Sequence, residues 1–217
     1  MTVQIGDIYK YQSEDYSLVA LSEGSLFDPL AHGLSSHPSC TACHRGYWCE
    51  YELHENALYL KNLNLFNRDG YYPPLNGIHI SPQEFIEREY RSNGHTEKVL
   101  RPANWGHRTY KDVAIPIKFT GNILIGRFET PTYHIEGIWD NPWRYKELLE
   151  LIFDDGVLVD LIDQSETAKD IRKIIRTMPT SKPENRGTMG TFVRVNWGVL
   201  SLVCNNAWWI SSRRLRR

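Results

Sequence analysis

The chain has 217 residues, 41% of them hydrophobic and 24% charged. A chain of this size and composition buries a core of its own, so neither a disulfide framework nor a structural metal is required to hold it together. Lys plus Arg number 25 against 26 Asp plus Glu, a formal net charge of -1. No global field draws the protein to nucleic acid or to an anionic membrane, and the expected partner is a small molecule or another protein.

The opening Met1–Asp7 shows neither a basic nor an apolar leader pattern, and no stretch reaches the roughly 18 consecutive apolar residues of a spanning helix. The expectation is a cytoplasmic chain in which Cys40, Cys43, Cys49 and Cys204 stay reduced. Seven of the twelve cysteines and histidines then crowd between His32 and His54. Cys40 and Cys43 have the spacing of half a zinc site, and His37, His44, Cys49 or His54 would complete it. No second, equally clear ligand pair follows. The reading from sequence is therefore no cofactor, with zinc held by Cys40, Cys43, His37 and His44 as the alternative. The string Cys40-Thr41-Ala42-Cys43-His44 also fits a c-type haem attachment, but that chemistry requires export.

Alternation of period two begins at Tyr47. It puts Tyr47, Cys49, Tyr51 and Leu53 on one face of a strand and Trp48, Glu50 and Glu52 on the other, which aims Cys49 into the core. After a turn at His54-Glu55-Asn56 the pattern runs through Leu58 and Leu60, breaks at Lys61-Asn62 as a bulge does, and resumes at Leu63 and Leu65. The run Ser81-Pro82-Gln83-Glu84 joins a capping serine, a first-turn proline and a reciprocal glutamate. It predicts a helix that buries Phe85, Ile86 and Tyr90 and stops at Asn93-Gly94.

A hairpin is predicted from Val113 to Phe128: Val113, Ile115, Ile117 and Phe119 alternate inward, and Thr120-Gly121-Asn122 turns the chain into Ile123-Leu124-Ile125. Pro116 cannot donate to a ladder, so this strand belongs at an edge or carries an irregularity. Farther on, His134 and Glu136 share one strand face and form a conceivable acid–base pair. No nucleophile, metal ligand or second carboxylate lies near them in sequence. Trp139 and Trp143 bracket Asp140-Asn141-Pro142 and suit the rim of a ligand pocket or an interface.

Lys146–Asp154 reads either as a helix started by Asn141-Pro142 or as a strand paired with Val157–Ile162 across Asp155-Gly156. The strand is preferred because Val157-Leu158-Val159 needs an adjacent partner. A second helix starts between Asp163 and Glu166, carries Ala168, Ile171, Ile174 and Ile175 on one stripe, and ends at Pro179. Residues 179–190 read as a mobile loop, Thr191–Val203 as a further strand, and Arg213, Arg214, Arg216 and Arg217 as a solvated tail.

Together these features predict a single domain over 1–217: a mainly β, antiparallel barrel or sandwich of roughly eight to ten strands with two short helices. The predicted function is a binding module for a small molecule or a protein partner, with Trp139 and Trp143 as its contact residues and no catalysis assigned.

Overall fold

The computed structural model describes residues 4–92, 95–129 and 142–177. Of the described residues, 4–92, 95–127 and 149–162 belong to one compact unit, and 128–129, 142–148 and 163–177 to a second. Eleven strands and one α-helix lie among the described residues. No helix among them is long and apolar enough to cross a membrane.

The first unit grows from β1 (Ile8–Tyr11), β2 (Glu14–Leu21), β3 (Tyr47–His54) and β4 (Ala57–Leu65). β1 pairs antiparallel with β2 and parallel with β3, so the large sheet is mixed, where the sequence predicts antiparallel strands alone. β3 and β4 form the predicted hairpin, and the inward face carries Cys49 at 0% exposure and Tyr51 at 1%. The register steps from Glu50↔Asn62 to Tyr51↔Leu60, which leaves Lys61 as the extra residue of a bulge. That single residue switches the parity of β4. Leu58 and Leu60 face the core before it, and Leu63 and Leu65 face the same core after it.

The predicted helix after Ser81 is instead a strand. β5 (Phe85–Ser92) pairs along its whole length with β6 (His95–Pro102), and together they form a separate two-stranded sheet. Ser81 spends its backbone N–H on the Thr109 carbonyl at 2.9 Å, and Glu84 accepts the Ala103 N–H at 2.8 Å, so the capping motif works as the base of a hairpin. A cap is worth only about 1 kcal/mol. Against it stand a full ladder, the Lys98–Glu87 ion pair at 3.0 Å and Arg101 over the Tyr90 ring. The Asn93-Gly94 dipeptide, read above as a helix stop, is equally a hairpin signal.

β7 (Arg108–Tyr110) continues the large sheet beside β4. The predicted hairpin from Val113 to Phe128 does not form as such. Its first arm shrinks to β8 (Ile115–Pro116), which pairs with β4, while β9 (Gly121–Glu129) pairs with β2. Positive φ angles at Asp112 and Ala114 interrupt the extended run, and Pro116 withholds a donor. Val113, Ile117 and Phe119 are buried as their alternation requires.

β10 (Tyr145–Asp154) and β11 (Val157–Asp163) settle the contested segment as a strand pair. Asp155 and Gly156 both take positive φ, the geometry of a tight hairpin turn. The strand order is β11-β10-β9-β2-β1-β3-β4-β7, and β11 also meets β4 at Val157↔Ala57. The core of the first unit is Tyr9, Tyr51, Tyr110, Phe153 and a belt of leucines and isoleucines from β4, β9 and β10.

In the second unit a short 3-10 turn at Pro142–Arg144 precedes β10, and α1 (Ser165–Thr177) is the one α-helix among the described residues. Asp163 accepts the Ser165 N–H at 2.8 Å, and the Ser165 hydroxyl in turn accepts the Leu148 N–H at 3.1 Å. Arg172 donates to the carbonyls of Trp143 and Tyr145 at 2.7 and 2.6 Å. Ala168 is buried as predicted, whereas Ile174 is 44% exposed. The predicted loop 179–190, the strand Thr191–Val203 and the arginine tail lie outside the described residues.

Candidate functional site

The crowded turn is organised by protein groups. Cys40 and Cys43 pair through their backbones: the Cys43 N–H donates to the Cys40 carbonyl at 3.0 Å, and the Ser39 N–H donates to Cys43 at 3.4 Å. From the chain start, Ile5 donates to Ala42, the Gln4 amide donates to Thr41, and Gln4 Oε1 accepts the His44 N–H. Asp7 forks onto Arg45 and also accepts the Cys49 N–H at 2.7 Å. The turn is thereby fastened to β1 and β3.

Cys43 is buried, and its thiol donates to the Tyr47 carbonyl at 3.7 Å. Burial pushes the Cys43 thiol above its ordinary range and holds Cys49 protonated in the core. His37 accepts the Arg68 N–H through Nδ1 at 3.4 Å, and His44 is exposed. Among the described residues no three His, Cys, Asp or Glu side chains converge as a metal site would require.

Trp143 is buried at 5% exposure beside the helix contacts of the second unit, and its indole Nε1 has no hydrogen-bond partner among the described residues. Trp139, His134 and Glu136 lie outside the described residues.

The sequence reading missed His107. This residue follows three consecutive positive-φ residues, Asn104, Trp105 and Gly106, and is 3% exposed. Its Nδ1 lies 2.8 Å from the Asn104 carbonyl, which can only accept, so the ring proton sits on Nδ1 and Nε2 accepts the Ser39 hydroxyl at 3.3 Å. Burial lowers the His107 pKa, opposed in part by the backbone of Asn104 and Gly46, and the neutral ring packs against Trp48 and Phe66. A serine hydroxyl on an oriented neutral imidazole is the first half of a nucleophile–base pair. Here the imidazole is almost wholly covered, and the contact clasps the 33–46 segment onto the sheet.

Beside it on the outward face of β3 and β4, Glu50 accepts the amides of Asn62 at 2.8 Å and Asn64 at 3.4 Å. Asn64 accepts the Thr109 hydroxyl at 2.7 Å, and Asn62 accepts the Asp112 N–H at 2.9 Å. This network spends its polar groups on itself.

The β5–β6 hairpin is the opposite case. Phe85 is 59% exposed, Tyr90 54% and Leu100 68%, and Trp105, just past its base, is 60% exposed. Phe85 and Leu100 are diagonal neighbours on one face, Ile86, Tyr90 and Val99 share the other, and charged residues stand between them. The signal available from sequence was the Asn93-Gly94 dipeptide between two charged runs, masked by the capping motif before Phe85. No family model, no curated protein and no solved structure matches this chain.

Proposed function

We propose that this chain is a protein-binding module whose docking surface is the β5–β6 hairpin, carried on a sheet that the β11–β4 bridge closes into a barrel. The observation that carries the reading is the exposure of Phe85, Tyr90 and Leu100 on a sheet of only two strands. An isolated hairpin is marginally stable in water, and aromatic and aliphatic side chains left outside a core are what an interface takes up. The polar network around Glu50 and the His107–Ser39 clasp are satisfied internally, which favours the hairpin over the sheet face as the working surface.

A photo-reactive side chain placed at Leu100 in cells that make the chain tests this. The expected result is a discrete cross-linked adduct that disappears when Phe85→Ser is added, with no adduct when the same group replaces exposed Lys118. Absence of an adduct at position 100, or equal labelling at 118, overturns the reading.

A further inference from the structure

The docking reading leaves its partner open, and the backbone of the hairpin narrows the choice. β6 pairs only with β5 among the described residues, so its outer edge is open. Register fixes which backbone groups line that edge. Ala103 donates to Glu84 across the base, and Phe85 lies opposite Pro102. Hydrogen-bonded positions alternate along an antiparallel ladder, so Arg101, Val99 and Glu97 turn their N–H and C=O groups toward β5. Thr96, Lys98 and Leu100 turn theirs outward. All three are exposed.

We infer that a second copy of this chain occupies the edge: two hairpins join through β6 about a two-fold axis at Val99, forming a four-stranded antiparallel sheet β5-β6-β6-β5. The inference rests on the docking reading above and names its partner. A two-fold axis normal to the sheet requires residues that face each other to lie on the same side, which permits only registers centred on a residue. Centred on Val99, Glu97 meets Arg101 of the other copy, twice by symmetry, and Lys98 meets Leu100 through the outward hydrogen-bonding positions. Centring on Glu97, Lys98 or Leu100 joins no acid to a base. On the outer edge of β5, centring on Arg88 sets like charges face to face, and centring on Glu89 sets Glu89 against itself between two Glu87–Arg91 pairs. Centring on Tyr90, which joins Glu89 to Arg91, overlaps only residues 88–92 of the strand, against 96–102 in the Val99 register.

Glu97 and Arg101 form no ion pair within the chain among the described residues, so both charges are available for the partner copy. On the opposite face, Phe85 and Leu100 of each copy line up as one apolar strip across the joined sheet. Pro102, with no N–H, ends the shared ladder after Thr96 has donated to its carbonyl.

Sedimentation equilibrium over a concentration series tests the pairing. The wild-type chain is expected at twice its 25.3 kDa monomer mass. Glu97→Arg and Arg101→Glu are each expected to weaken association by about tenfold or more, since each replaces two attractive pairs by two repulsive ones. The double variant Glu97→Arg/Arg101→Glu restores it. Both positions are exposed, so folding is preserved, and a circular dichroism melt of each variant checks this. A wild-type chain that stays monomeric, single reversals that associate normally, or a double variant that fails to recover overturns self-pairing. A monomer whose position-100 adduct has the mass of a different protein keeps the docking surface and removes this partner. A monomer with no adduct removes both.

Discussion

His107 shows how one buried side chain turns packing into a pH dependence. Its proton sits on Nδ1 against the Asn104 carbonyl, Ser39 covers Nε2, and Trp48 and Phe66 pack on the ring. Burial lowers its folded-state pKa, so as pH falls the unfolded chain takes up this proton first, near the ordinary histidine value of about 6.5. The linkage sign is then fixed. This residue's contribution is fully present above that pH and is lost as pH falls from there toward the lower folded value. Melting temperature followed from pH 7.5 to 5 is expected to fall more steeply in the wild type than in His107→Gln, which has no titrating ring. Parallel curves would show that the imidazole stays solvated.

At the scale of elements, irregularities fix more than regular runs do. Lys61 is the one extra residue in β4, and it keeps Leu63 and Leu65 on the core side after Leu58 and Leu60. The β10–β11 turn depends on Gly156 in the same way. Gly156 has φ +83, and a Cβ there would lie 2.3 Å from the Ile117 carbonyl oxygen, a backbone atom with no room to retreat. Its own carbonyl accepts the Leu58 N–H at 2.8 Å, and its N–H donates to Phe119 at 2.8 Å, so the turn ties β4 to the segment before β9. Gly156→Ala is expected to cost about 3 kcal/mol or more in chemical denaturation. Gly70→Ala, at φ +70 with nothing within 4 Å, is expected to cost about 1 kcal/mol. Equal costs at the two sites would refute the close approach at Ile117.

At the scale of the molecule, the first unit is built on a large aliphatic and aromatic core, and the Cys40–His44 turn is secured by Gln4, Ile5 and Asp7. The buried thiols are held protonated, one of them in a hydrogen bond to a carbonyl. A strong chelator is therefore expected to leave the thermal unfolding of purified protein unchanged, and added zinc to raise the midpoint by less than about one degree. A chelator-induced drop would reinstate Cys40, Cys43, His37 and His44 as ligands.

Sequence alone determined where period-two alternation sets a core face. Cys49 and Tyr51 on β3, the break at Lys61 and the Asp155-Gly156 turn were legible because each is a local consequence of pleat and φ preference. The helix from Ser165 was legible for the same reason. Tertiary structure alone decided the strand partners outside the β3–β4 and β10–β11 hairpins. β1 lies parallel to β3 and β8 pairs with β4 instead of β9, because each outcome depends on a segment distant in sequence. Phe85–Ser92 is a strand despite a helix cap because its full ladder with the adjacent His95–Pro102 outweighs the cap. His107 met Ser39 across 68 positions, a proximity that no spacing records. Local rules act through adjacent dihedral angles, whereas ladders and buried contacts balance the free energy of whole surfaces, and that balance exists only once the chain has folded.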